Sequence, residues 1–188
     1  MLEDKVITCL NYVELHEDNF SVYSREFAML IQSSGSELDN MFKLFCDMDQ
    51  SKDFHITDYK KYISDEQPEL VEKIVEIGYN QTDLQPLMNF DKTQKEETKV
   101  TWWKAFTLLK HKRNLNFKQA TLGNCIHILA ALFLLETEYL IRIGKENNEI
   151  DVPDQESKLF VLKDCKSKYI LNVYKYMQRD TSERLAWK

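Results

Sequence analysis

WWKAFTLLKHK at residues 102–112 and KQATLGNCIHILAALFLLETEYLIRI at residues 118–143 decide the fold of this chain. The first stretch has apolar side chains at helical spacing, and Thr101 before it is a residue type that caps helices. Residues 126–135 of the second stretch are apolar nearly all round apart from His127, which is typical of a buried helix with one hydrogen-bonded core histidine. The sequence therefore predicts two neighbouring helices, the second of which ends at Gly144.

Shorter helical patterns precede this pair. Apolar residues over Leu2–Leu15 fit one helical face, and a second helix is predicted to start at a cap provided by Asn19 or Ser21. The sequence SGS at residues 34–36 interrupts that pattern, so we predict that a third helix begins at Ser36. Residues 57–63 are long enough for one more short helix.

The remaining segments have a weaker periodicity. Between Pro68 and Asp91 the pattern favours a small hairpin or an irregular excursion. The polar sequence NNEIDVPDQES at residues 147–157 is typical of a linker, and residues 169–180 again have helical spacing. We therefore expect a mainly α fold with a minor β element. It should form a single domain over residues 1–188, with residues 155–188 as an appended extension.

Composition restricts the class of protein. The chain begins with acidic rather than basic residues, so no secretory signal is indicated. Its longest apolar run, residues 128–135, is much shorter than a bilayer span, and we expect a cytoplasmic protein with no membrane partner. The four cysteines include no C-x-x-C pair, which indicates reduced thiols, and the four glycines do not form the glycine-rich loops that bind nucleotides.

Charge is strongly segregated along the sequence. The chain has a net charge of -6, yet the segment from Thr98 to Leu135 contains no Asp or Glu. Its six basic residues are Lys99, Lys104, Lys110, Lys112, Arg113 and Lys118. Because exposed charges farther apart than about 8 Å are largely screened in physiological salt, such a segment attracts phosphates or acidic surfaces even in an acidic protein.

The sequence KHKR at residues 110–113 is the strongest candidate for a functional site. Its histidine is the side chain type that gains and loses a proton near neutral pH, and its three cations suit the oxygens of a phosphate. Lys104, Thr107 and His111 share a helical face, whereas His111 and Arg113 converge only if the helix ends near them. The alternative interpretation is that these cations complement a helix dipole and keep the turn soluble.

Trp102 and Trp103 flank this basic segment, and aromatic rings beside cations can stack on nucleic-acid bases. Two adjacent tryptophans on a helix cannot both point into the core. One of them, for which we choose Trp103, is therefore expected in a cleft or at an interface.

DMDQSKDFHITD at residues 47–58 is partly similar to a calcium loop, with oxygen donors at Asp47, Asp49, Ser51 and Asp53. The sixth position is Lys52 instead of the glycine that such loops need, and the twelfth is Asp58 instead of a bidentate glutamate. An ordinary acidic loop is therefore expected here, and no metal site is predicted.

The segments SGSELDNMFKLF, ITDYKKYI, LQPL and WWKAFTLLKHKRNLNFKQATLGNCIHILAALFLL, in this order, resemble uncharacterised bacterial helical proteins grouped with the HEPN superfamily. Many of those proteins belong to phage-defence or toxin systems. The resemblance runs from Asn11 to Tyr139, and its most specific part is W-W-x-A-(x)4-K-H-x-R at residues 102–113. It implies an up-and-down helical bundle, often a homodimer, whose active members cleave RNA without a metal or other cofactor.

In those members an arginine, the polar residue after it and a histidine four to six residues downstream line a cleft between two subunits. Arg113 and Asn114 match the start of this motif. No histidine stands at the downstream position, where Lys118 and Gln119 are found, and His111 lies upstream instead.

Two functions follow from these observations. The first is binding of RNA or a nucleotide, with metal-independent RNA cleavage by His111 and Arg113. The predicted binding residues are Lys104, Lys110, Lys112, Asn114, Lys118 and Trp103. The second is a catalytically inactive helical partner, such as an antitoxin or a complex subunit, whose KHKR segment docks on an acidic surface of a cognate protein.

Overall fold

The structure is a computed structural model that describes residues 2–78, 82–90, 100–147 and 157–163. In this part of the chain the helices are α1 (Leu2–Leu10), α2 (Arg25–Phe45), α3 (Ile56–Glu66), α4 (Thr101–Asn116) and α5 (Leu122–Asn147). The strands are β1 (Val75–Ile77), β2 (Thr82–Leu84) and β3 (Phe160–Leu162), and short 3-10 turns cover Glu17–Asn19, Pro68–Glu72 and Phe117–Gln119. The mainly α fold with a small β element is confirmed.

The centre of the core is α5, as its apolar sequence predicts. Its side chains Ile126, Ile128 and Leu134 are fully buried, and both α2 and α4 pack against it. The helix begins at Leu122 instead of near residue 118, because a 3-10 turn comes first and Thr121 Oγ1 then accepts the N–H of Asn124 at 3.2 Å.

The predicted end of α5 at Gly144 is wrong, since the helix continues to Asn147. A glycine that ends a helix usually takes a positive φ, and none of the described glycines does so. Gly144 is buried within the helix instead. The segment at residues 169–180 and the predicted linker between Asn147 and Ser157 lie outside the described residues.

A continuous α2 shows that the predicted break at residues 34–36 is wrong. Gly35 lies inside the helix because Phe106 of α4 packs directly against it: a Cβ at this position would be 2.3 Å from Cδ2 of the ring. Ser34 is fully buried, and the hydroxyl of Ser36 donates to the Gln32 carbonyl one turn earlier. The small residues therefore mark a close helix contact rather than a loop.

The predicted cap of this helix at Asn19 or Ser21 is also wrong. Ser24 caps α2, with its hydroxyl accepting the N–H of Phe27 at 3.1 Å. Residues 22–24 stay extended because they form backbone hydrogen bonds of 2.8 and 3.2 Å with residues 120–122. A contact far away in sequence therefore delays the start of the helix.

The small hairpin predicted between Pro68 and Asp91 is confirmed. β1 pairs antiparallel with β2, and its other edge pairs antiparallel with β3, which the sequence did not predict. Lys163, just after β3, lies 3.1 Å from the carboxylate of Glu76 and 2.6 Å from that of Asp83. These ion pairs connect the residue after β3 with β1 and β2 at the exposed face of the sheet.

Arg142 of α5 covers the C-terminal end of α2. Its Nη1 donates to the carbonyl of Phe45 at 2.8 Å, and its guanidinium nitrogens lie 3.3 Å from the carboxylate of Asp47. The guanidinium also lies over the rings of Phe45 and Tyr139, at 5.1 and 5.2 Å. Asp47 has a φ of 52°, a left-handed conformation in which aspartate is better tolerated than most residues.

We expect Arg142→Met to lower the free energy of unfolding by about 2 kcal/mol, because it removes a charged hydrogen-bond donor but keeps an apolar stem. Urea unfolding measures this change. Lys145→Met, on the exposed last turn of the same helix, is the control and should shift the free energy by less than about 0.5 kcal/mol. Equal losses in the two variants would contradict a specific role for Arg142.

His127 is the one histidine on α5, and its predicted hydrogen bond is confirmed, but its side chain is half-buried and lies outside the fully buried core. Its Nδ1 lies 2.8 Å from the carbonyl of Gly123, and its ring stands edge-on to Phe20 at a centroid distance of 6.2 Å. Burial lowers the pKa of His127 below its ordinary value of 6.5, although the hydrogen bond to Gly123 opposes this shift.

Because the folded state disfavours protonated His127, its contribution to stability is present above about pH 6.5 and is lost as the pH falls through the lowered pKa. His127→Gln keeps an N–H donor for Gly123 but cannot be charged. We therefore expect the variant to gain stability relative to the parent when urea unfolding is repeated at about pH 5 instead of about pH 8. Parallel losses in both proteins would show that His127 does not titrate with folding.

Candidate functional site

An open cleft of about 410 Å³ lies between α4 and the loop that precedes α3. The polar side chains that line it are Lys104, Thr107, Lys110 and His111 from α4, Asp53 and His55 from the loop, and Asp39 from α2. Trp103, Phe106 and Phe54 provide much of its apolar lining. The cleft therefore combines cations, imidazoles, carboxylates and aromatic rings.

The helical spacing of α4 brings its cleft residues together. Lys104, Thr107 and His111 are three and four residues apart, so successive side chains lie on one face of the helix, as predicted. Trp103 and Lys110, seven residues apart, lie on the adjoining strip of the same surface. Four of the eight predicted site residues thus line one cleft: Trp103, Lys104, Lys110 and His111.

The regular path of α4 breaks at Lys112, whose φ and ψ are -142° and 47°. In an unbroken helix the carbonyl of Leu109 would accept the N–H of Arg113. Here the amide of Gln32 on α2 donates to that carbonyl at 2.9 Å. The break lies between His111 and Arg113. An interruption of the helix at this point is what the two side chains would need in order to face one ligand.

The break does not bring Arg113 into the cleft lining. Its guanidinium lies over the ring of Phe117 at 6.0 Å, and the Phe117 ring stands edge-on to Tyr23 at 5.8 Å. The other predicted residues outside the cleft lining, Lys112, Asn114 and Lys118, have exposed side chains. The predicted site therefore divides into a cleft set and a set on the outer corner between α4 and α5.

The two adjacent tryptophans have different environments, which confirms the expectation that one of them faces a cleft. Trp102 is 4% exposed, and its indole N–H donates to the carbonyl of Pro86 at 3.1 Å. Trp103 is half-buried and lines the cleft, with its ring 5.4 Å from Phe106 and 5.8 Å from Phe42. The indole of Trp103 is thus braced by core aromatics on one side while the other side borders open space.

Asp39 reaches the cleft from α2 and is held in place from behind. Tyr59, which is fully buried, donates its hydroxyl to Asp39 Oδ1 at 2.9 Å, and Lys43, 7% exposed, lies 3.7 Å from Oδ2. Burial and the bond to Asp39 raise the pKa of Tyr59, so the phenol keeps its proton and remains a donor. This arrangement fixes one carboxylate at the edge of the cleft.

Charge in the cleft is separated between the walls. Within the described residues, no carboxylate oxygen lies within 4.0 Å of the ammonium group of Lys104 or Lys110. Asp53 lies on the opposite wall, and the Lys110 ammonium lies 5.5 Å from the Phe106 ring centroid. Such a cleft suits a ligand that has an anionic group at one end and hydrogen-bond donors at the other.

His55 also lines the cleft, and its position was not predicted from the sequence. His55 precedes α3, which begins at Ile56, and its backbone N–H donates to the Asp58 carboxylate at 2.8 Å. An acidic residue three positions after a helix cap is a known start signal, so H-x-x-D at residues 55–58 marks the helix end in sequence. No local signal shows that this end faces α4.

The acidic segment at residues 47–58, which is partly similar to a calcium loop in sequence, uses its carboxylates in other ways. Asp47 pairs with Arg142, and Asp49 accepts hydrogen bonds from the hydroxyl and the N–H of Ser51, which lower the pKa of Asp49. Among the described residues, no group of three or more His, Cys, Asp or Glu side chains is arranged to hold a metal ion.

Comparison of the chain with models of protein families, with curated proteins and with solved structures finds no match. In the described part of the chain, no helix has both the length and the apolar character needed to span a bilayer.

Proposed function

We propose that this protein binds RNA in the cleft between α4 and the loop before α3 and cleaves it without a metal ion. The observation that carries the proposal is that Lys104, Lys110 and His111 line one cleft together with Trp103. The lysines would hold the oxygens of a phosphate, and the indole would stack on a base. Asp39 and Asp53 provide acceptors for the N–H groups of that base.

The proposed reaction is an internal transfer at phosphorus. His111, as general base, removes the proton of the ribose 2′-hydroxyl, and the 2′-oxygen attacks the adjacent phosphorus. The P–O5′ bond breaks, leaving a 2′,3′-cyclic phosphate on one fragment and a 5′-hydroxyl on the other. Lys104 and Lys110 stabilise the charge that develops on the phosphoryl oxygens.

Incubation of the purified protein with total RNA in the presence of EDTA tests this proposal. We expect fragments with 2′,3′-cyclic phosphate ends, and we expect no cleavage of DNA because it lacks the attacking hydroxyl. RNA that stays intact at protein concentrations at which it is bound would exclude the reaction. Cleavage that stops in EDTA and resumes with a metal ion would exclude the metal-independent mechanism.

One observation favours a second candidate, a helical partner that docks an acidic protein. Leu115 is 84% exposed on the outer corner, between Lys112 and Arg113 on one side and Lys118 on the other. An exposed leucine among cations suits an acidic surface with an apolar centre. If this is the function, an acidic protein should co-purify with the parent and be lost with Leu115→Glu, but be retained with Lys104→Ala.

A further inference from the structure

His55 is a second histidine in the cleft, and the reaction proposed above gives it no role. It belongs to the loop before α3, whereas His111 belongs to α4, so the two imidazoles enter the cleft from different walls. The backbone of His55 is fixed by the 2.8 Å hydrogen bond from its N–H to Asp58. Its side chain is exposed, so it is accessible to a ligand.

Transfer of phosphorus from the 5′-oxygen to the 2′-oxygen needs two proton transfers: one proton is removed from the 2′-hydroxyl, and one is delivered to the 5′-oxygen. The base takes the proton of the 2′-hydroxyl as the O2′–P bond forms, and the 5′-oxygen must receive a proton as its bond to phosphorus breaks. The attacking and leaving oxygens lie on opposite sides of the phosphorus. His111 and its neighbours on α4 occupy one wall only, so the proton donor must come from the other wall.

The groups available there are Asp53 and His55, with Asp39 from α2. An ionised carboxylate has no proton to give, and Asp39 already accepts a hydrogen bond from Tyr59. Histidine is protonated in part of the molecules near neutral pH. We infer that His55 is the general acid that protonates the 5′-oxygen, an assignment that rests on the proposed RNA cleavage.

A substrate with an activated leaving group distinguishes this role from a structural one. The 4-nitrophenyl esters of the four ribonucleoside 3′-phosphates release nitrophenolate, which needs no proton. His55→Asn is the variant of choice because asparagine is a favoured helix cap, so the start of α3 is kept. We expect it to slow RNA cleavage by about 100-fold and to change cleavage of the nitrophenyl esters little.

His111→Gln is the matched comparison, and it should slow cleavage of both substrates, since both need the base. The parent should show a bell-shaped pH profile on RNA, as expected of a reaction that uses one general base and one general acid. The decrease in the cleavage rate at high pH should be absent in His55→Asn. This variant keeps the other titratable groups of the cleft, which are His111, Lys104, Lys110, Asp39 and Asp53.

Equal slowing of both substrates by His55→Asn, or no slowing of either, would overturn the assignment while leaving the proposed function intact. A parent that cleaves neither RNA nor the esters would overturn both. Circular dichroism and urea unfolding of His55→Asn show whether its fold and stability match those of the parent.

Discussion

Gly35→Ala is expected to lower the free energy of unfolding by about 3 kcal/mol, which is at the upper end of the range for substitutions that overpack a core. The added Cβ would lie 2.3, 2.5 and 2.7 Å from three carbons of the Phe106 ring. Phe106 is 4% exposed and packs against Trp103 at 5.4 Å, so it has little room to move away. Since both aromatics line the cleft, the substitution should also weaken RNA binding.

Two further variants make this expectation specific. Ser33→Ala, at an exposed position of the same helix, should be neutral or slightly stabilising because alanine is the better helix former. Phe106→Leu combined with Gly35→Ala should be less destabilised than the sum of the single changes, since the smaller side chain gives space to the new methyl group. Additive losses in urea unfolding would mean that the two residues are not in close contact.

His111→Gln is expected to have the largest effect on function. If His111 is the general base, its removal should lower the rate constant of RNA cleavage by a factor of about 100 to 10,000. Glutamine keeps a polar side chain of similar length but cannot accept the proton. Affinity for an RNA with 2′-O-methyl groups, which cannot be cleaved, should change little because the lysines remain.

His16→Gln is the control for this experiment, because His16 lies on the surface before the Glu17–Asn19 turn and does not line the cleft. It should cleave RNA as fast as the parent. Equal activity of parent and His111→Gln would remove His111 from the mechanism.

The features that were predictable from the sequence depend on local patterns. Helical periodicity alone predicts three features. They are the buried character of α5, the shared face of Lys104, Thr107 and His111, and the different environments of Trp102 and Trp103. These features account for three of the four predicted site residues that line the cleft, namely Trp103, Lys104 and His111.

The features that were missed depend on contacts between distant segments. Gly35 interrupts a helical pattern in sequence, but in the fold it makes room for Phe106. The start of α2 is delayed by backbone pairing of residues 22–24 with residues 120–122, and β3 joins a hairpin formed far earlier in the chain. His55 belongs to the same class, since only the packing of α3 and α4 brings it to the cleft.

Arg113 illustrates a limit of motif reasoning. On a regular helix a spacing of two residues would put His111 and Arg113 on different sides, and although the helix breaks at Lys112 between them, the Arg113 guanidinium packs on Phe117 outside the cleft lining. The pairing of His111 with Arg113 as catalytic residues stays a prediction. The cleft offers Lys104 and Lys110 for the same electrostatic role.

The salt dependence of RNA binding tests most directly whether the cleft holds phosphates. Binding of a 2′-O-methyl single-stranded RNA is measured over a range of salt concentrations for the parent, for Lys104→Ala/Lys110→Ala in the cleft, and for Lys112→Ala/Lys118→Ala on the outer corner. Log affinity falls as log salt rises, and each lost phosphate contact makes this slope less steep by about 0.7. We predict a slope reduced by about 1.4 for the cleft pair and unchanged for the outer pair. The reverse order, or equal slopes for all three proteins, would contradict RNA binding in the cleft.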